Sequence, residues 1–467
     1  MSEIPLHYLS AVELGRLIRE KRLSSVELTR LYLERLEKIG RSLNAVAELT
    51  PELALAQARQ ADEELAKGYS RGPLHGVPYG AKDLLATKNI PTRWGSPAHK
   101  DQIFNYDATV IRKLREAGAV LVAKLSMIEL AGGGGYDSPA ASLEGPCRCP
   151  WNPSRWAGGS SSGSGAAVSA GLVGFALGTE TWGSITVPAA FCGISGLRPT
   201  YGRVSRHGAM TLCWTLDKIG PMARSAEDCG FILQAIAGPD PLDATCAPIG
   251  FRFRAQPLVS RRRRPIRLGV LPHDTSKVPE VQKAFEEALA VFRERNFHIE
   301  EASYPPDIPY NEAASLIVMA EGSAAFEGLI RSERLQLLAD PQQQAGLIAG
   351  LSISSADYLR AQRIRKIAIQ ALNALWARFD LLIAPTLLTV APEVSKPLSA
   401  GTEPWGGNGG PGNLAGWPSL SIPMGFGKEN LPLGLEIIGP PGGEEAILAL
   451  GMTYQRETDW HRKHPSL

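Results

Sequence analysis

Histidine and cysteine are both scarce in this chain, at eight and six of 467 residues. The cysteines are Cys147, Cys149, Cys192, Cys213, Cys229 and Cys246, and no two of them form a CxxC pair. Reduced, partly buried thiols are the expected state. Cys147 and Cys149 lack a second Cys or His pair at ligand spacing, which argues against a metal centre. Charge of one sign is also lacking, since the net charge is +2. The only basic run is Arg261, Arg262, Arg263 and Arg264. It reads as a solvated loop, and no aromatic interleaving points to nucleic acid. No apolar run is long enough to span a membrane. The longest, "AAVSAGLVGFALG" from Ala166 to Gly178, is rich in small residues and reads as a buried element. The first residues, "MSEIPLHYLS", lack a basic stretch followed by an apolar one, so no signal peptide is expected and a cytoplasmic location is.

What is present is ordinary globular composition, 44% hydrophobic and 21% charged. Residues 1–68 read as a helical layer. Ser10 with Glu13 and Ser24 with Glu27 are capping boxes. Thr50 and Pro51 open a third helix, with Thr50 as its cap. From residue 73 the texture changes to short β-branched runs alternating with helical patterns. "HGVPYGAKD", "AGAVLVAK", "IRLGVLP", "FHIEEA", "FDLLIAPT", "SLSIPMGF" and "LPLGLEIIG" read as strands. This alternation predicts an α/β fold, a sheet covered by helices on both faces. No linker or repeat marks a boundary, so residues 1–467 are expected to form a single domain.

Two serine-bearing loops dominate the charge-poor block between Gly158 and Gly220. They are "GGSSSGSG" from Gly158 and "GTETWGSITVP" from Gly178. A phosphate cradle is disfavoured, because the Walker lysine and a G-x-G-x-x-G fingerprint are missing. Glycines here let backbone N–H groups approach a ligand. Those of Thr181, Trp182, Gly183 and Ser184 form a candidate nest for a developing oxyanion. Ser184 is then a candidate nucleophile, yet no histidine lies within twenty residues of it. Lys82 in "GVPYGAKD" is a candidate base. A solvated lysine has a pKa of about 10.4 and is a poor base, whereas burial favours its neutral form. The plainer reading is that Lys82 and Asp83 form a surface ion pair.

The block from Gly158 to Gly208 resembles the signature block of the amidase signature family. The resemblance extends to "LHGVPYGAKD", "AGAVLVAKLSMIELA", "PWNPSRWAGGSSSGS", "GNLAGWPSLSIPMGF" and "LPLGLEIIG". It implies a large mixed β-sheet core covered by helices, and a triad of serine, a serine in a cis peptide, and lysine. On this resemblance Ser184 aligns with the nucleophile, Ser160 with the cis-serine and Lys82 with the base. Ser161 aligns with a neighbour inside that network. Thr181, Trp182 and Gly183 fall on the oxyanion-hole segment. Ala131, Gly132, Gly133 and Gly134 fall on the loop that lines the acyl pocket. The implied chemistry is hydrolysis of an amide carbon–nitrogen bond through an acyl-enzyme, with no metal or organic cofactor. The implied partner is a small-molecule amide, with no nucleic acid or membrane; a homodimer is left open.

The chain departs from the family pattern G-T-D-T-G-G-S-I-R. Glu180 stands for Asp, Trp182 for Gly and Thr186 for Arg, and Ser162 stands where Gly is common. Thr186 removes a cation. Trp182 places an indole beside the nucleophile, either to wall the substrate pocket or to pack behind the loop. Trp156 adds a further aromatic, read as packing or surface. These changes favour an uncharged aryl or hydrophobic amide over a small anionic one. The alternatives are a carbamate- or urea-cleaving hydrolase, and the glutaminase subunit of the tRNA-dependent amidotransferase, whose "YGRVSR" stretch recurs at Tyr201 to Arg206. A non-enzymatic binding protein is disfavoured by the complete triad. The segment 305–350 and the loop 401–412 are expected to shape the leaving-group pocket.

Overall fold

The computed structural model describes residues 4–261, 265–400 and 407–467. Arg262 to Arg264 of the basic run, and 401–406 of the expected leaving-group loop, lie outside the described residues. The strands are β1 (Val46–Leu49), β2 (Pro78–Lys82), β3 (Val120–Leu125), β4 (Arg148–Cys149), β5 (Asn152–Trp156), β6 (Phe175–Glu180) and β7 (Ser195–Arg198). They continue as β8 (Lys218–Ala223), β9 (Arg267–Val270), β10 (His298–Glu301), β11 (Leu381–Pro385), β12 (Ser419–Phe426) and β13 (Pro432–Ile438). All but the β4–β5 hairpin join one mixed sheet of eleven strands, in the order β1-β3-β2-β6-β8-β7-β12-β13-β11-β9-β10. Helices surround it, as the alternation of patterns predicts. Among the described residues no helix is long and apolar enough to cross a membrane.

Each expected strand run lies in this sheet, and both capping boxes form. Ser10 and Ser24 accept from the Glu13 and Glu27 backbones while the two glutamates reach back. Thr50 is the N-cap residue of the helix Pro51–Ala66, and its carbonyl accepts the Ala54 N–H, while its hydroxyl donates to the Leu121 carbonyl at 2.7 Å. One reading of the N-terminal layer needs correction: the layer is not wholly helical, because residues 46–49 pair antiparallel with β3 as an edge strand. Pairing with a neighbour decided that segment, as it commonly does for short strands.

The glycine- and serine-rich block supplies the inside of the molecule. The helix Ser162–Ser169 is buried along its whole length. Its small side chains let it lie close against the sheet, which sets Ser160 and Ser161 at its start over the ends of β2 and β6.

Candidate active site

β2 and β6 run parallel and side by side, with Tyr79, Gly80 and Ala81 opposite Phe175, Ala176 and Leu177. The strand ends Lys82 and Thr179 therefore emerge together. Lys82 is fully buried. Its Nζ donates to Ser160 Oγ at 2.7 Å, Thr179 Oγ1 at 2.9 Å and Ser161 Oγ at 3.0 Å. Among the described residues, three hydroxyls and no carboxylate surround the amine. Burial lowers its pKa to about 7, opposed by the charges of Asp217 and Glu180. Such an amine has a substantial neutral fraction at physiological pH. The expected surface pair with Asp83 does not form. Asp83 turns to the other side and meets Lys124 Nζ at 3.2 Å.

The Gly159–Ser160 peptide is cis. The two serine loops are tied together, because the Ser161 N–H donates to the Ser184 carbonyl at 3.3 Å. Ser184 is half-buried at the turn after β6. Gly183 has φ of +116°, a conformation open to glycine and costly for other residues. Among the described residues, no turn, loop or side-chain acceptor takes the N–H groups of Thr181, Trp182, Gly183 or Ser184. All four belong to the turn that carries Ser184.

A buried ion pair supports that turn from below. The Glu180 carboxylate accepts from the Ile185 and Thr186 N–H groups at 3.0 and 3.1 Å. It also accepts from Arg198 Nη1 at 2.8 Å and from the Asn413 amide. Burial would raise the Glu180 pKa, but Arg198 and these donors outweigh it and hold the carboxyl at about 2. The cation at this carboxylate is contributed by β7.

The remaining expected residues divide. Ala131 lines a cavity of about 150 Å³ together with Leu84, Thr179, Thr181 and Met210. Gly132, Gly133 and Gly134 do not line it. They sit beside Tyr136, against Phe326 and Leu212, and against the helix Pro341–Gly350. The loop turns away after Ala131, which has a positive φ of 55°. Trp182 is half-buried. A Cβ at Gly409 would lie 2.5 Å from its Cδ1, so the indole rests on a glycine backbone. It also borders a cleft of about 670 Å³ with Asn311, Leu316, Met319 and Ile353. The segment 305–350 therefore does flank the site. Trp156 is fully buried and packs edge-on against Tyr136. The six cysteines are free thiols, five of them buried.

Sequence reasoning missed Thr179, Arg198, Arg206, Asp217 and Lys218. Thr179 stood inside the quoted loop, two residues before Thr181. Adjacent charges in the apolar run "TLDKIGP" were the available signal for Asp217 and Lys218.

A family model described as Amidase matches residues 27–448. The chain belongs to the amidase signature family. It is therefore an amidohydrolase, a hydrolase of carbon–nitrogen bonds. Among curated relatives, it is similar to the A-subunit of glutamyl-tRNA(Gln) amidotransferase from Chloroflexus aggregans, at 38% identity over 99% of both chains. The corresponding protein of Moorella thermoacetica is 36% identical, again over 99% of both. Among solved structures, a chain of a vestigial protein complex linked to the origins of an s-triazine catabolic enzyme is 32% identical. It superposes with a TM-score of 0.87 over 97% of this chain and 99% of that one. The peptide amidase of Stenotrophomonas maltophilia is 30% identical, with a TM-score of 0.83 over 97% and 98%. The shared architecture is the large mixed sheet with its surrounding helices.

Proposed function

We propose that the chain hydrolyses an amide through an acyl-enzyme on Ser184. The observation that carries this is the buried Lys82 amine, 2.7 Å from Ser160 Oγ and free of any carboxylate contact. Neutral Lys82 takes the Ser160 hydroxyl proton as Ser160 takes that of Ser184. The Ser184 oxygen bonds to the carbonyl carbon. The N–H groups of Thr181, Trp182 and Gly183 stabilise the oxyanion. Collapse breaks the carbon–nitrogen bond, and the departing amine receives its proton from Ser160 while Lys82 returns one to Ser160. Water then attacks the acyl ester by the same relay and frees Ser184.

Two readings of the substrate have specific support. The curated relatives favour a glutaminase subunit, which releases ammonia from glutamine and works beside partner subunits. The apolar cleft under Trp182 favours an uncharged aryl or hydrophobic amide, cleaved by the chain alone. A carbamate or urea group would use the same relay. Labelling by a fluorophosphonate, in the parent and in Ser184→Ala, tests the nucleophile. Labelling is expected in the parent and lost in the variant; equal labelling overturns the assignment. Turnover of an anilide and of glutamine by the isolated chain then separates the two substrate readings.

A further inference from the structure

The 150 Å³ cavity runs from Leu84 and Ala131, past Thr179 and Thr181, to Arg206, Asp217 and Lys218. It has room for several non-hydrogen atoms. Thr179 also hydrogen-bonds Lys82, so the cavity begins one side chain from the amine of the proposed relay. Its polar lining is unequally satisfied. Asp217 is engaged at both oxygens: one accepts the Thr181 hydroxyl at 2.6 Å, and the other accepts the Leu212 and Cys213 N–H groups, each at 2.8 Å. Asp243 accepts the Arg206 and Thr245 N–H groups and the Thr245 hydroxyl. The spare capacity consists of donors. Lys218 is 2% exposed, and its Nζ donates to the Leu216 carbonyl and to no other described residue. An ammonium has three protons to give and an amine two. Arg206 Nε is buried without a hydrogen bond, 3.8 Å from Asp243.

The cations around the cavity are already matched by acids. Glu180 pairs with Arg198, Asp243 with Arg206, and Asp217 lies next to Lys218. A further anion would leave a net buried negative charge, which is costly. A neutral acceptor would fill the spare donors without that cost. Lys218 lines this cavity from the start of β8, where it lies opposite Glu180 of β6, four residues before Ser184. Burial and the neighbouring Arg198 lower the Lys218 pKa to about 7, against the pull of Glu180 and Asp217. It can therefore donate without carrying a full charge.

We propose that this cavity is a subsite for the acyl portion of the substrate and that Lys218 holds a second, uncharged carbonyl oxygen there. The substrate class is then an amide carrying another amide, ester or ketone carbonyl a few atoms from the scissile carbon. This rests on the proposed Ser184 chemistry only in calling the group acyl. The cavity sits on the Thr181 side of the turn and the apolar cleft on the Trp182 side, so the two select opposite ends of one molecule.

The test compares three anilides: 4-anilino-4-oxobutanamide, its apolar analogue pentananilide, and its acid 4-anilino-4-oxobutanoate. Sites built to hydrogen-bond a group reject analogues lacking it, so kcat/KM for the diamide should exceed that for pentananilide by about tenfold or more. Lys218→Met should bring that ratio to about one, and Lys218→Gln, which keeps an N–H donor, should retain a preference. A parent ratio near one overturns the proposal. So does a preference for the acid, or a Lys218→Met variant with an unchanged ratio. Titration of Ser184→Ala with succinamide and pentanamide gives a readout without turnover. Tighter binding of succinamide, lost in Ser184→Ala with Lys218→Met, supports the subsite even if no anilide is cleaved; that outcome would overturn the anilide reading of the substrate alone. Equal binding, or no binding of succinamide, overturns the subsite.

Discussion

Two lysines leave neighbouring parallel strands of this sheet and end in opposite circumstances. Lys82 closes β2, and Lys124 lies on β3, where its register partner is Ala81. The two side chains fall on opposite faces, and each is fully buried. Lys124 meets the Asp83 carboxylate at 3.2 Å and the Thr92 hydroxyl at 2.6 Å. Lys82 meets hydroxyls only. Burial lowers both pKa values, but at Lys124 a contacting carboxylate opposes the shift. Asp83 follows Lys82 in sequence and serves the other lysine, because successive residues of an extended chain point to opposite faces. The difference teaches that depth alone does not make a base. One buried amine is held as half of an ion pair, and the other is kept where losing its proton is easy.

Removing each amine should break the comparison most visibly. Lys82→Ala is expected to lower kcat/KM by at least about 10³-fold with the fold retained, since members of a relay act as a unit. Steady-state kinetics with circular dichroism check this. The parent should lose about tenfold in kcat/KM per pH unit below about 7, because protonation removes the base, and should level off above it. A flat profile from about pH 5 to 9 with chemistry rate-limiting would count against Lys82 as base. Lys124→Met should act on stability instead. It strands the buried Asp83 carboxylate and costs about 3–5 kcal/mol, with much of this restored by adding Asp83→Asn. Urea unfolding measures it, and kcat of the folded variant should change little. Trp182→Gly should give the smallest effect, confined to selectivity. The ratio of kcat/KM for an anilide to that for glutamine should fall by about tenfold if the indole walls the cleft. An unchanged ratio with a lowered melting temperature would make Trp182 a packing residue.

The parts of this molecule legible in sequence were those fixed by local chemistry. β-branched runs marked the strands, and Ser10 and Ser24 marked helix starts three residues before a glutamate. The serine loops and Lys82 were visible because their small, charge-poor surroundings are unusual. β1 was hidden, since "VAEL" carries no strand signal strong enough to overrule its helical neighbours. Arg198 and Lys218 were hidden for a different reason. Their partners lie 18 and 38 residues away in sequence at Glu180 and are brought close by strand pairing. The family pattern showed that position 186 carries no cation, and geometry alone showed Arg198 of β7 at the Glu180 carboxylate.

The two borders of the eleven-stranded sheet bear on how the molecule meets others. One border is β1 and the other β10, each four residues long. The β1 pairing is interrupted by an irregularity between Val46 and Glu48. Three of the four β10 residues, His298, Glu300 and Glu301, are polar and exposed. Short, kinked or charged margins give an incoming strand little to pair with. A sheet this wide would otherwise be a template for fibre growth, and here its rims discourage it. Contacts with another polypeptide are thereby directed to the helices and loops.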